Sequence, residues 1–142
     1  MAAVDDVDEL IERYHLGGDE FLKGNPEPLL ELWSRRDDVT LANPFGPPVR
    51  GWDEVAKVTE HAASQVRDGQ LVSVEIIAKH VSAELAYVVE IERAKIGGSE
   101  DITPFDLRVT MIFRPEEGEW KVVHRHADPI TTPQPAESVI QE

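Results

Sequence analysis

The chain has 142 residues, a formal net charge of −14 and no cysteine. This charge repels nucleic-acid backbones and anionic membrane surfaces, so we predict neither partner, and the lack of cysteine excludes disulfides and thiolate chemistry. The length suits one domain, and no apolar stretch approaches the 18 residues that a membrane-spanning helix needs.

The N-terminal part of the chain predicts two helices. Residues 1–10 are acidic where a secretory signal is basic and then apolar, so we expect a cytoplasmic protein. Apolar residues recur at spacings of three and four over residues 4–23, which predicts an amphipathic helix. Gly17 and Gly18 interrupt this pattern, and two glycines cost about 2 kcal/mol of helix propensity relative to alanine, so we expect a bend or a break. A second, short helix is predicted over residues 28–33.

The middle of the chain predicts one helix between extended segments. A short strand is followed by a proline-rich loop, a third helix ends before Gly69, and two longer strands are separated by a hairpin loop. The predicted bounds are residues 37–42 for the turn and first strand, 43–48 for the loop, 52–67 for the helix, 71–81 and 85–95 for the strands, 82–84 for the hairpin loop and 96–101 for a second loop.

The C-terminal part predicts a long hairpin over residues 105–129. Apolar and polar residues alternate along its first strand, and residues 115–118 supply the turn. The second strand places His124, His126 and Asp128 on one face, because side chains two apart point the same way. We expect residues 1–129 to form the domain and residues 130–142 to be a loose tail or one that lies over a neighbour.

The order of these elements predicts the fold class. Helices come first and a consecutive antiparallel run of strands follows, which indicates an α+β domain rather than repeated βαβ units. A strongly curved sheet wrapped over the helices would form a cone with one open mouth.

Two segments carry a resemblance to a known family. LWSRRDDVTLANPFGPPVRGWDEV (residues 32–55) and RVTMIFRPEEGEWKVVHRHAD (residues 108–128) resemble the SnoaL-like branch of the nuclear transport factor 2 superfamily. The second segment also looks like the end of the association domain of calmodulin-dependent protein kinase II. The resemblance implies a curved antiparallel sheet packed on three N-terminal helices, a pocket between them and usually a homodimer through the sheet. This superfamily includes isomerases, polyketide cyclases, dehydratases, transport factors and assembly domains, so the fold alone does not choose a function.

Comparison with the ketosteroid isomerase relatives argues against their mechanism, in which an aspartate transfers the proton. Those enzymes carry a general-base aspartate just before a proline at the end of the first short strand. Here Asn43 precedes Pro44, and an amide cannot accept the proton. Their oxyanion tyrosine has no counterpart, because Tyr14 lies several residues too early, and their late acidic position falls near Arg108 and Val109.

The histidines of the last strand are the candidates for chemistry. Neutral imidazole is both a metal ligand and a base near pH 7. We predict no metal and no cofactor, because a single strand splays the side chains of His124, His126 and Asp128 about 7 Å apart per step. The resemblance places a histidine near the pocket at His126, which is therefore the candidate catalytic base, and His124 is a candidate pocket residue. A structural role for either histidine is the alternative.

Arg108 is the candidate for binding a polar group of the ligand. A guanidinium in the middle of a strand is costly unless it is paired. It would hold a ligand carboxylate through two hydrogen bonds, or it would be neutralised by Asp106, Glu90 or Glu92 within the sheet.

Four further residues complete the predicted pocket. Trp33 and Phe45 would supply apolar walls, and Tyr87 a phenolic hydrogen bond; alternatively, Trp33 is a core or rim residue and Tyr87 a half-buried structural residue. Asn43 would donate to a carbonyl ligand or fix the following loop by an Asx-turn. His15 is interpreted as an ordinary surface or boundary residue.

These observations leave three functions open. The first is binding of a small, partly apolar molecule that carries a carboxylate or carbonyl. The second is an isomerase, cyclase or dehydratase in which His126 is the base and Arg108 or Asn43 polarises a carbonyl. The third is a non-catalytic oligomerisation domain.

Overall fold

The residues that the structure describes form three α-helices and six strands. Our computed structural model describes residues 4–97 and 102–140, with side chains from residue 6 onward, so most of the loop predicted over residues 96–101 lies outside the described residues. The elements are α1 (Val4–Phe21), α2 (Glu27–Leu30), β1 (Thr40–Ala42), β2 (Val49–Arg50), α3 (Trp52–Ser64), β3 (Gln70–Val81), β4 (Ala86–Gly97), β5 (Ile102–Glu116) and β6 (Glu119–Asp128), followed by a short 3-10 helix at Ala136–Val139.

One mixed sheet contains all six strands. Its order is β2-β1-β6-β5-β4-β3, and the long strands β3 to β6 pair antiparallel with their sequence neighbours. The predicted α+β cone is confirmed, but the sheet is not antiparallel throughout, because β1 pairs parallel with β6. A long stretch of chain separates these two strands, so no tight hairpin restricts their relative direction.

The core lies between α1 and the inner face of the sheet. Alternation along each strand supplies this face, and the spacing of three and four along α1 supplies the opposing stripe. The largest buried side chains include Trp33, Val88, Met111, Phe113 and Val122 from the strands and the chain before them, and Val7, Leu10, Ile11 and Tyr14 from α1.

Helix α1 continues through the two glycines, so the break that was one of the two predicted alternatives is wrong. The helix runs unbroken to Phe21, and tertiary packing outweighs the poor propensity of glycine. A Cβ atom at Gly17 would lie 2.9 Å from Leu29 Cδ2 and 3.2 Å from the Leu29 backbone nitrogen, so this position needs glycine for close packing against α2. Gly18 has no such neighbour.

The long hairpin turns at two residues. β5 continues through Pro115 and Glu116, and the turn is formed by Glu117 and Gly118, whose φ angles are 53° and 85°. Positive φ at both central residues matches the twist of the flanking strands, so the turn is tighter than the sequence predicts.

Strand β6 contains one extra residue. Phe113 pairs with Val122, and Ile112 pairs with His124, so Val123 has no partner and forms a β-bulge. One added residue reverses which side chains point inward along the rest of the strand. Before the bulge Trp120 and Val122 point into the core; after it Arg125 and Ala127 do.

Residues 130–140 are mostly exposed and add no strand. The division of the chain after residue 129 therefore stays a prediction. Within the described part of the chain, no helix is long and apolar enough to cross a membrane.

Candidate active site

A cavity of about 290 Å³ lies between the helices and the inner face of the sheet. Apolar side chains form most of its wall, because every long strand presents its inward residues here. They include Phe21 and Leu29 from the helical layer, and Leu41, Ile96 and Leu107 from the sheet. Such a mostly apolar wall with a few polar groups is typical of small-molecule sites.

The ionisable groups that line the cavity come from three elements. Helix α1 supplies Tyr14 and His15, β4 supplies Glu92, and β6 supplies Arg125. Strand alternation carries Glu90, two residues before Glu92, inward as well, and its side chain is completely buried behind the cavity wall.

Arg125 and Glu92 form a buried, bidentate ion pair. Arg125 Nη1 donates to Glu92 Oε2 at 2.9 Å, and Nη2 donates to Oε1 at 2.8 Å. Burial works to raise the pKa of Glu92, but the charge and hydrogen bonds of Arg125 outweigh it and lower this pKa to about 2. The guanidinium also lies over the ring of Tyr14, 5.3 Å from its centroid, and burial raises the pKa of that phenol. This pair therefore stays charged while its two charges cancel.

His15 and Glu90 form the second pair. His15 Nε2 lies 2.9 Å and 3.0 Å from the two carboxyl oxygens of Glu90. Glu90 is also hydrogen-bonded to Glu92, and two carboxyl groups in that contact need a shared proton. Burial raises the pKa of Glu90 to about 7, and the contact with Glu92 adds to this effect. The cluster thus holds an exchangeable proton near neutral pH.

The arrangement suits proton transfer. The imidazole of His15 lines the cavity, and the buried carboxyl group of Glu90 fixes its orientation from behind, which is the arrangement that acid–base catalysis requires. His15, Glu90 and Glu92 also bring ligand atoms within 4.8 Å of one another and are the residues that could hold a metal ion. Arg125 already occupies both oxygens of Glu92, so we assign a proton rather than a metal ion to this cluster.

The family model of the SnoaL-like domain matches residues 7–131. The chain belongs to the SnoaL-like domain family. No curated protein matches the sequence significantly. Similar solved structures include a putative dehydratase of the nuclear transport factor 2-like family from Streptomyces avermitilis, with a TM-score of 0.76 and 19% identity over 91% of this chain and 97% of that one.

Two further structures share this SnoaL-like fold. A ketosteroid isomerase-like protein from Erwinia carotovora atroseptica has a TM-score of 0.70 and 18% identity over 91% of this chain and 97% of that one. A putative calmodulin-dependent protein kinase II association domain from Thiobacillus denitrificans has a TM-score of 0.69 and 19% identity over 87% of this chain and 94% of that one. At these identities the likeness shows the fold alone.

Three of the predicted pocket residues line the cavity of this SnoaL-like domain. Trp33 is buried in its wall, and Asn43 and Phe45 lie on the loop after β1. Asn43 Oδ1 accepts a hydrogen bond from the Phe45 backbone N–H at 3.0 Å, which is the Asx-turn alternative. The side chain of Phe45 is 70% exposed, so it lies at the rim.

The other four predicted residues lie outside this cavity, on the outer face of the sheet. Arg108 Nε donates to Asp128 Oδ1 at 2.7 Å, and His126 Nε2 lies 2.9 Å from Asp128 Oδ2. His124 Nδ1 lies 2.7 Å from Thr40 Oγ1. Arg108 is thus neutralised by the residue directly opposite it on β6, a partner that the sequence did not suggest. Tyr87, the fourth residue, stacks on the ring of His80 with centroids 5.8 Å apart.

The bulge at Val123 accounts for this placement. Continued alternation from Trp120 and Val122 would carry His124 and His126 inward, but the extra residue turns them outward and turns Arg125 inward. Sequence reasoning missed the cluster of His15, Glu90, Glu92 and Arg125. A signal for the two glutamates was present, because they occupy the inward positions of an alternating strand whose neighbours are Ala86, Val88 and Ala94.

Proposed function

We propose that this SnoaL-like protein binds a small, mostly apolar molecule in the cavity and catalyses proton transfer on a carbonyl compound, as isomerases and dehydratases do. The observation that carries the proposal is the imidazole of His15 at the polar end of an apolar cavity, oriented by the buried carboxyl group of Glu90.

Each polar residue has a role in this proposal. His15 removes a proton from the carbon next to the carbonyl and returns it to the product, acting as base and then as acid. Glu90 orients the ring and stabilises the imidazolium that forms. Arg125 directs N–H groups to Glu92 and to Met111 Sδ, and its remaining N–H groups, together with the hydroxyl of Tyr14, would donate to the carbonyl oxygen.

The descriptions of two similar structures are compatible with this chemistry. One similar structure is described as a putative dehydratase and another as ketosteroid isomerase-like. Both reaction classes move protons next to a carbon–oxygen bond. Asn43 still rules out the steroid-isomerase base, so the proton acceptor belongs at a different position, for which His15 is suited.

Deuterium exchange tests the proposal without knowledge of the physiological substrate. Cyclic and aryl ketones would be incubated with the protein in deuterated buffer, and loss of the α-proton signal would be followed by nuclear magnetic resonance. We expect wild-type protein to accelerate exchange and His15→Ala to lower the rate by about 100-fold, which is typical of a lost general base. His61→Ala removes an exposed α3 histidine and is the matched control.

Two results would contradict the assignment. Unchanged exchange in folded His15→Ala would remove His15 as the base. Exchange that is lost in His126→Ala and kept in His15→Ala would assign the chemistry to the outer face of the sheet, where the sequence placed it.

We further propose that two copies associate through the outer face of the sheet. Outward positions of β4 and β5 carry the apolar side chains of Tyr87, Val89, Ile91 and Ile112, which we call the outer patch. None of the four is fully buried. A second copy would cover these side chains through a two-fold contact.

A further inference from the structure

We infer that the cavity selects uncharged ligands over carboxylates, because its arginine is already neutralised within the protein. This inference rests on the proposed function, since it names the ligand class of the same cavity. It differs from the expectation that an arginine in the pocket would hold a ligand carboxylate.

The charges around the cavity cancel. Among the cavity-lining residues in the described ranges, Arg125 is the one side chain that is cationic at every physiological pH, and Glu92 takes both of its terminal nitrogens. The side chains of this pair are 13% and 10% exposed, so little water screens them. Behind them Glu90 contacts His15 and adds no positive charge. A ligand therefore meets no unpaired permanent cation among these described residues.

A carboxylate in this cavity would be an unpaired buried anion. It would lose its hydration shell against a mostly apolar wall and would lie beside the carboxylate of Glu92, and both effects are unfavourable. A ketone of the same shape loses far less hydration and would accept a hydrogen bond from a remaining N–H group of Arg125 or from the hydroxyl of Tyr14. The geometry thus discriminates by charge rather than by shape.

A pair of matched probes tests the inference. 2-Acetylnaphthalene and 2-naphthoate share the same ring system, and the methyl ketone of the first has the shape of the carboxylate of the second. We expect wild-type protein to bind the ketone at least about tenfold more tightly at pH 7.5, measured by isothermal titration calorimetry.

One substitution should reverse this preference. Glu92→Gln keeps the size of the side chain but removes the negative charge that neutralises Arg125, so we expect 2-naphthoate to gain at least about tenfold in affinity relative to the ketone. Glu75→Gln makes the same change at an exposed glutamate on β3, which pairs with Arg93 outside the cavity, and we expect it to keep the preference of wild type.

The outcomes separate this inference from the proposed function. Equal or tighter binding of 2-naphthoate to wild type would overturn the inference and leave the cavity as a ligand site. Failure to bind either probe would overturn both. If Glu92→Gln does not fold because Arg125 is left buried and unpaired, the double variant E92Q/R125M removes both charges. We expect this variant to prefer the ketone. A preference for 2-naphthoate would contradict the inference.

Discussion

Glu90 and Glu92 lie two positions apart on the inward face of β4, yet their pKa values move in opposite directions. The difference comes from their partners. Glu92 has the permanent charge of Arg125, whereas Glu90 has the titratable ring of His15 and a carboxylate that repels its own ionised form. The two carboxyl groups therefore titrate as a pair, and one proton remains on the pair between about pH 2 and about 7.

The shared proton predicts how the stability of the protein depends on pH. Because the pKa of Glu90 is raised to about 7 in the folded chain, the folded protein keeps a proton that the unfolded chain loses near its ordinary value of 4.5. The free energy of unfolding should therefore fall as pH rises between these values. From pH 5 to pH 8 we expect the titration of Glu90 to lower the free energy of unfolding by roughly 2 kcal/mol.

Glu90→Gln removes this dependence because glutamine imitates the protonated form. We expect the variant to lose roughly 2 kcal/mol less stability than wild type between pH 5 and pH 8, measured by urea unfolding followed by circular dichroism. Glu75→Gln, at an exposed position, is the matched control. Parallel pH profiles for wild type and Glu90→Gln would show that the proton is not held at this position.

At the scale of the element, α1 shows why adjacent glycines are not equivalent. Gly17 packs so closely on Leu29 that it has no room for a side chain, whereas a Cβ atom at Gly18 would meet no neighbour beyond its own helix. Gly18 also lines the cavity. Its absent side chain is therefore part of the empty space that we assign to the ligand.

This difference predicts opposite effects of the same substitution. Gly18→Ala should raise the free energy of unfolding by about 0.5–1 kcal/mol, because alanine is the better helix former. Gly17→Ala should lower it by about 1 kcal/mol or more, because the added methyl group overpacks the contact with α2. Urea unfolding of both variants measures the comparison. Equal effects of the two changes would contradict the close contact at Leu29.

The last two strands show which part of the site the sequence can predict. The alternation of β5 and the turn residues before β6 are visible in the chain, so the hairpin and its pairing follow from the sequence. The bulge at Val123 does not, because Val122 and Val123 are equally suited to either face of a strand. The sequence therefore predicts that His124, His126 and Asp128 share a face, but not which face it is.

At the scale of the whole molecule, the sequence predicts the fold better than it predicts which polar side chains contact one another. The order of the elements and the periodicity of their apolar residues lead to the α+β cone, because both are local properties of the chain. The parallel pairing of β1 with β6 and the contact between His15 and Glu90 join residues more than 70 positions apart. Local patterns carry no information on such contacts. The sequence therefore presents His15 as an ordinary surface or boundary residue, although it contacts the buried Glu90.

The proposed dimer predicts a change in molecular mass. Ile91→Lys places a charge within the outer patch, and we expect it to convert a dimer of the 15.9 kDa chain to a monomer, measured by size-exclusion chromatography with light scattering. Leu85→Lys makes an equal change of charge at an exposed apolar residue in the β3–β4 turn and is expected to remain a dimer. A wild-type monomer at micromolar concentration, or a dimeric Ile91→Lys variant, would exclude association through the outer patch.

The extra residue at Val123 also affects how this chain should be aligned with its relatives. An alignment without a gap equates residues that differ in orientation wherever one chain has the bulge and the other lacks it. Functional roles copied by column from a bulge-free relative would then pass to His124 or His126, although the residues in the equivalent inward places are Arg125 and Ala127. The position of a single-residue gap at this point therefore decides which residue is assigned a functional role. The gap should be placed from the strand pairing before any catalytic role is transferred from a relative to this chain.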